Sequence, residues 1–372
     1  MKILYITTIS LTINTFFKPH IEMLVKDGNQ VDIACNCKDL ELDDLYSQLG
    51  CESFQIDFSR SPLSPDNIRA YKQLKRVIEN GGYDIVHCHT PNASAITRLV
   101  CRGFRKKNGL KVYYTAHGFH FFKGASKLNW MLYYPVEKLC SRFTDKLITI
   151  NKEDYQLAKS KFKAKEVCYV RGVGLDLSKF ENIQIDKNEK RHELDVPDDA
   201  TLLISVGELS DRKNHKVIID AMAKLQSDNF HYIIVGNGPL SEYLKDYAEK
   251  NNLHNRVHFL GYRKDIVELY KAADICCFPS IHEGLPVALM EAMACGTPVV
   301  CSKIRGNVDL IEEDGGFLVE PYDVDGFAQA LKKMSADYDL RMKFSQVNLK
   351  KVVNFSKDNV LTEMRELYGN LK

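Results

Sequence analysis

The sequence predicts an α/β protein made of two successive doubly wound parallel-sheet units. Three observations carry that expectation. Short apolar runs alternate with helical periods along most of the chain. The alternation breaks at a polar stretch over residues 181–200 and then restarts. A length of 372 residues is too great for one ordinary core and suits two of somewhat under about 200 residues each.

In the first half the strand candidates are Ile3–Thr7, Val31–Ala34, Ile85–His87, Val112–Thr115, Lys146–Ile150 and Val167–Val170. Helical periods fall between them at Phe17–Asp27, Pro65–Glu79, Ala93–Cys101, Trp130–Phe143 and Lys152–Phe162. Such alternation implies a parallel sheet covered on both faces. Residues 181–200, ENIQIDKNEKRHELDVPDDA, are charged and poor in large apolar side chains, and read as an interdomain linker with a short helix. The second half repeats the pattern: Leu202–Val206, His215–Gln226, Tyr232–Val235, Ser241–Asn251, Val257–Leu260, Lys264–Ala272, Ile275–Phe278, Val287–Ala294 and Val299–Cys301. From about Asp325 to Lys372 the chain is mostly helical, and its last helix (350–372) either stays with the second unit or crosses back to complete the first. The units are thus expected at 1–185 and 195–350, Rossmann-like and facing across a cleft, with ligands at their strand C-termini.

Composition excludes several classes. An apolar fraction of 45% and a charged fraction of 27% are those of a soluble globular protein. The net charge of +2 selects no nucleic acid. Eleven cysteines include no CxxC pair, which argues against zinc and for reduced, buried thiols in a cytosolic protein. The N-terminal MKILYITTIS lacks a signal-peptide pattern and reads as a first strand. No apolar run approaches the ~20 residues that span a bilayer. The chain is expected in the cytoplasm, soluble or peripheral on a membrane.

The most informative segment is Ser280–Val300, SIHEGLPVALMEAMACGTPVV. A strand ends near Ser280, a turn carries Glu283 and Gly284, and Pro286 precedes a helix that stops at Gly296. Helix N-termini present free N–H groups and a positive dipole end, which suits a diphosphate. Pro286 has no N–H, so the amides of Leu285, Val287 and Ala288 are the candidate contacts. Glu291, in the second turn, can accept from two vicinal ribose hydroxyls, and Glu283 would lie near the sugar end of the same ligand. From periodicity alone, a solvent-facing glutamate and a loop carboxylate fit equally.

The run resembles the E-x7-E signature of the family-4 glycosyltransferases, with Glu283 and Glu291 at its two positions. That family has the two-domain GT-B fold, so the resemblance implies a retaining hexosyltransferase using a nucleotide-sugar donor. VGELSDRKN (Val206–Asn214) resembles the family's phosphate loop, with Lys213 at the position of the lysine that reaches the distal phosphate. Glu208 stands where the family usually has an arginine. Either Arg212 supplies that charge, or Lys213 and backbone amides hold the phosphate alone. LGYRK (Leu260–Lys264) resembles the loop against the base, with Arg263 a candidate contact, and VGNGP resembles the glycine turn at Gly236. The first unit carries no GxGxxG fingerprint for a nicotinamide nucleotide.

In the first half, YTAHGFHF (Tyr114–Phe121) places His117 at a strand C-terminus, matching the family's active-site histidine. In VHCHTP the strand is expected to end between His87 and His89, so that the two do not share a face and bind no metal. His87 then reads as core, and His89 with Thr90 as lining the cleft. Thr7–Thr15 lacks the glycines many relatives have there, leaving Thr7, Thr8 and Asn14 as polar candidates on the acceptor side. Phe119–Leu139 gathers aromatic residues around the only Trp with Lys123 and Lys127, and Arg102, Arg105, Lys106 and Lys107 form a basic run nearby. This fits equally a helix packed on the sheet or an anionic membrane interface. Asp323-Val-Asp325 spells a metal-binding DxD but reads as a helix N-cap pair.

The resemblance therefore implies a metal-independent enzyme that needs no cofactor and takes a UDP-sugar as substrate. It extends capsule, exopolysaccharide or lipid-linked oligosaccharide chains in bacteria, with an N-acetylhexosamine compatible as the sugar. Its acceptor would be a polyprenyl-diphosphate-linked sugar at the inner membrane face. A UDP-N-acetylglucosamine 2-epimerase shares the architecture but would need no acceptor, and E-x7-E belongs to the transferases. A catalytically silent nucleotide-sugar-binding partner is the reading that Glu208 and the glycine-free first loop favour.

Overall fold

The computed structural model describes residues 1–181, 183–227 and 229–369. The chain divides into two compact units, one formed by Met1–Gly174 with the chain from Lys357 onward, the other by Leu175–Ser356.

The first unit has seven parallel strands: β1 (Lys2–Ile9), β2 (Gln30–Asn36), β3 (Ser53–Gln55), β4 (Ile85–His89), β5 (Lys111–Ala116), β6 (Lys146–Thr149) and β7 (Glu166–Tyr169). Their spatial order is β3-β2-β1-β4-β5-β6-β7. The second unit has six: β8 (Thr201–Val206), β9 (Phe230–Val235), β10 (Val257–Gly261), β11 (Ile275–Phe278), β12 (Val299–Ser302) and β13 (Gly316–Val319), ordered β10-β9-β8-β11-β12-β13. Both sheets reverse strand order beside their first strand, between β1 and β4 and between β8 and β11. At such a point the loops leaving adjacent strands diverge to opposite faces and leave a crevice at the strand C-termini.

Strand periodicity decides which residues reach which layer. Leu4, Ile6, Val86, Cys88 and Val112 join one layer of the first core, beneath helices Asp66–Gly81 and Pro91–Asn108. Ile3, Tyr5, Ile85, Tyr113 and Ile148 join the other, with helix Lys18–Lys26. In the second unit Leu203, Tyr232, Ile234 and Cys277 pack with Ile218, Met222, Phe327 and Leu331. The helices end and begin where local chemistry stops or starts them. Gly82 and Gly109, both left-handed, close the two helices of the first layer, and Asn151 caps helix Lys152–Lys161 by accepting from Asp154 N.

Several expectations are corrected. β1 runs past Thr7 to Ile9, and the segment after it is helical over Ser10–Phe17 rather than an open loop. β3, β13 and the short helices Asp44–Gln48 and Asn307–Leu310 are too brief to show a period, and the sequence did not reveal them. The segment expected as a linker does carry a short helix, but its described residues lie within the second unit. Helix Lys187–Glu193 belongs to the second unit, where Arg191, almost fully buried, donates to Asp274 (2.5 Å) and to the carbonyls of Ala272, Asp198 and Ala200. The division between units falls at Gly174, ahead of the expected 185. The last helix, Lys357–Gly369, belongs to the first unit: Val360, Met364 and Tyr368 recur every fourth residue and bury against its core. Lys146 Nζ donates to Leu367 O at 2.8 Å, and Glu363 pairs with Arg171. Asn182 of the expected linker and residues 370–372 of the expected last helix lie outside the described residues.

Candidate active site

The crevice of the second unit is built from the loops after β8 and β11. The first loop is held down in the first place by close backbone packing. Gly236 has φ +138° and sits so close to Gly207 that a Cβ would come within 2.1 Å of its carbonyl oxygen. A Cβ on Gly238 would meet Leu209 O at 2.4 Å. Only glycine permits that approach. Asn214, left-handed at φ +54°, ends the loop and donates to Pro279 O (3.1 Å) and Pro321 O (2.7 Å), tying it to the exits of β11 and β13. Beneath it a chain of hydrogen bonds runs from His215 to Tyr232, from Tyr232 to Ser205 (2.7 Å) and from Ser205 to Cys277 O (2.5 Å).

These constraints bring three predicted residues together. Arg212 Nη1 and Lys213 Nζ both donate to Glu283 Oε1, at 2.6 and 2.8 Å. Lys213 is buried over the Phe278 ring. Burial pushes its ammonium pKa down, and the Glu283 carboxylate opposes that shift. The Glu283 turn is braced from behind by Arg305, 4% exposed, which donates to Glu283 O at 3.1 Å and pairs with the His282 ring. Gly306 approaches so closely that a Cβ would lie 2.5 Å from Gly284 O. Arg305, His282 and His215 were missed, because no local pattern distinguishes them from surface polar residues.

Leu285 is buried at the end of this turn, and Val287 and Ala288 open helix Val287–Ala294, where the first amides have no intrahelical acceptor. Ala288 O accepts from Tyr270 OH at 2.9 Å, which fixes the helix start. Glu291 is half-buried; burial raises its carboxyl pKa and Lys179 partly offsets this. Arg263 forks its guanidinium onto Asp265 (2.7 and 2.5 Å) and reaches Glu193 (2.7 Å), bracing helix Lys187–Glu193. Glu208 is exposed. Asp323 caps helix Val324–Ala336 through Gly326 N (2.8 Å), and Asp325 pairs with Lys224.

In the first unit β4 continues through His89, so His87 and His89 do share a face, contrary to the sequence expectation, with ring centroids 4.2 Å apart. His89 Nδ1 lies 3.1 Å from His117 Nε2, Tyr5 stacks on His89 and Phe17 lies tilted against it. His87 is core, bonded to Thr115 Oγ1 (2.8 Å) and to Tyr368 OH from the last helix. His20, unmarked in the sequence, joins through the edge of Phe17 (ring centroids 5.7 Å) and is bonded to Val173 O (2.9 Å). His89 is 1% exposed and lines no open surface; half-buried His117 is the member of the pair that does. Burial and the neighbouring His20 push His117 down to about 4, and His87 and His89 well below the usual histidine value. The rings are therefore neutral near pH 7. Among the described residues no group of three or more His, Cys, Asp or Glu has a metal-holding arrangement.

Thr7 and Asn14 are also corrected. Thr7 is fully buried and donates to Ile9 O (2.8 Å), while Asn14 bridges Glu41 O and Asp43 N. Thr90, at φ +65°, binds Thr8 through its hydroxyl (2.7 Å to Oγ1, 3.0 Å from Thr8 N), clamping β1 to β4. Their polar ends are spent within the fold.

Comparison with known proteins agrees with this architecture. Residues 186–351 match the glycosyl transferases group 1 family, and residues 2–151 match the glycosyl transferase 4-like family. The chain is 35% identical to EpsD of Bacillus subtilis (strain 168), a protein named as a glycosyltransferase, over 99% of this chain and 96% of that one. It is 29% identical to the UDP-Gal:alpha-D-GlcNAc-diphosphoundecaprenol alpha-1,3-galactosyltransferase of Escherichia coli, over 81% of this chain and 79% of the other. The solved structure of Anabaena HepE in complex with UDP matches with a TM-score of 0.78 at 21% identity, with both chains covered in full, and so shares the fold. With both halves matched and a relative aligned from end to end, the chain belongs to the family-4 glycosyltransferases and has their GT-B fold.

Proposed function

We propose that this glycosyltransferase moves a sugar from a UDP-sugar to a polyprenyl-diphosphate-linked glycan, with retention at the anomeric carbon and without a metal ion. The observation that carries the reading is the convergence of Arg212, Lys213 and Glu283 at the β8/β11 crevice, beside the start of helix Val287–Ala294. Two cations and a helix N-terminus supply the positive field that a divalent ion would otherwise give a diphosphate. Arg212 beside Lys213 supports the view that it makes good the charge lost at Glu208. A diphosphate there competes with Glu283 for both cations and frees its carboxylate for hydroxyls of the donor sugar and for oxocarbenium charge. Leu285, Val287 and Ala288 amides take phosphate oxygens, Gly236 keeps the backbone low, and Glu291 takes the ribose. His117, neutral and held by His89, orients hydroxyl or phosphate groups of donor or acceptor.

The E. coli relative's name specifies a diphosphoundecaprenol acceptor, which supports a lipid-linked acceptor here. Thermal unfolding in EDTA with about 1 mM UDP, GDP, ADP or NAD tests the donor: a ligand at ~100 times its Kd should stabilise by about 2.7 kcal/mol. A shift selective for UDP is expected, and one that appears only with divalent ions would sink the metal-independent reading. NMR of the product linkage tests retention, and an inverted anomer refutes it.

A further inference from the structure

Helix Lys127–Cys140 is turned inside out. Its buried side carries its only acid, Glu137, which accepts from fully buried Arg98 (2.7 Å) and from Tyr114 OH (3.2 Å). Trp130, Tyr133 and Tyr134 also turn inward, onto the first core. Its outer side presents Leu128, Met131, Leu132, Val136 and Leu139, each 44–67% exposed. Counted from Leu128 they stand at i, i+3, i+4, i+8 and i+11, which places them on one helical face. An aliphatic stripe of that length on a soluble surface marks an interaction site. The aromatic residues that drew attention in the sequence are therefore packing groups, and the aliphatic ones are free.

The surroundings choose the occupant. Lys123, Lys127 and Lys138 are exposed around the stripe, and the helix offers no exposed acid. A second copy related by a two-fold axis would set this lysine rim against another lysine rim, with no exposed acid on either helix to pair it. An anionic bilayer surface satisfies both the aliphatic stripe and the cationic rim. The segment carrying His117 leads directly into this helix and is fastened to it: Trp130 Nε1 donates to Phe122 O (3.2 Å) and His120 stacks on Tyr133 at 4.6 Å.

We infer that the outer face of helix Lys127–Cys140 lies in the headgroup region of an anionic membrane and places the His117 segment at the depth of a lipid-linked acceptor; this rests on the acceptor reading above. Vesicle flotation tests it, using phosphatidylcholine alone or with about one-third phosphatidylglycerol. The full chain should float with the anionic vesicles. Met131→Gln/Leu132→Gln/Val136→Gln should weaken that by on the order of a hundredfold, and Lys127→Ala/Lys138→Ala by about thirtyfold, on anionic vesicles only. Both variants should keep the wild-type circular dichroism spectrum and UDP-induced thermal shift. Unchanged flotation of both variants overturns the inference. So does a dimer that the triple glutamine variant converts to monomer while vesicles bind neither form. Loss of UDP-sugar transfer with flotation intact would instead count against the donor reading.

Discussion

The two crevices are built on the same strand order yet use their polar groups in opposite ways. At β8/β11 the charged groups face one another across two short loops, and Glu283 holds both Arg212 and Lys213. At β1/β4 the polar groups are neutral rings stacked inside the sheet, and only His117 reaches its edge. The first arrangement is an electrostatic site that a charged ligand can rearrange. The second is a prebuilt scaffold, whose contribution is to hold one imidazole still. Losing a residue should therefore impair the first through binding and rate, and the second through stability.

Acid should separate them most. Histidines whose folded pKa is lowered contribute stability that is complete above the unfolded value of about 6.5 and is lost as pH falls toward the folded value. The first unit packs four such rings, His20, His87, His89 and His117, in one cluster. The second unit has buried His215, pushed down to about 4, and the less buried His231–His258 pair. Between pH 7 and 5 each buried ring can lose up to ~1.4 kcal/mol per pH unit below its unfolded pKa. Hydrogen exchange followed by mass spectrometry should show Met1–Gly174 opening first; simultaneous opening of both units would remove the distinction.

Next in size is Glu283→Gln. Transfer should fall by on the order of 10²–10³, or about 3–4 kcal/mol, while UDP affinity holds or improves because Arg212 and Lys213 lose their counter-ion. Steady-state rates and calorimetric UDP titration read the two separately, and a large loss of UDP affinity would contradict the exchange described above. Lys213→Met should cost UDP binding about 2–3 kcal/mol, the worth of hydrogen bonds to a charged group. Glu291→Ala should cost it about 1–3 kcal/mol through the lost ribose contact, and unchanged UDP affinity in that variant would refute the ribose role. The smallest effect sharpens the scaffold side: Tyr368→Phe deletes the hydroxyl bound to His87 and should cost about 1–2 kcal/mol of stability. Its UDP-induced shift should match wild type, and a denaturant titration with and without UDP checks both.

How much was legible depended on whether the signal was local. The E-x7-E run and the loop before Lys213 place charges within a few residues of a turn and a helix start, so Arg212, Lys213 and Glu283 could be named from the sequence. Arg263 shows the limit. Its position suggested a base contact and gave no sign that its guanidinium also pairs with Asp265 and with Glu193, seventy positions away.

By itself the sequence determined two doubly wound units, because strand and helix periods are read over windows shorter than the elements they form. It also singled out Arg212, Lys213 and Glu283, which meet in the structure, because they stand beside a turn and a helix start that local sequence fixes. Only the tertiary structure decided that residues 187–193 brace the second unit, that Lys357–Gly369 returns to the first, and that His20, His87, His89, His117 and Tyr368 meet. Those outcomes depend on pairing between distant segments: burial rewards the contact of two faces, and no single stretch of sequence contains both.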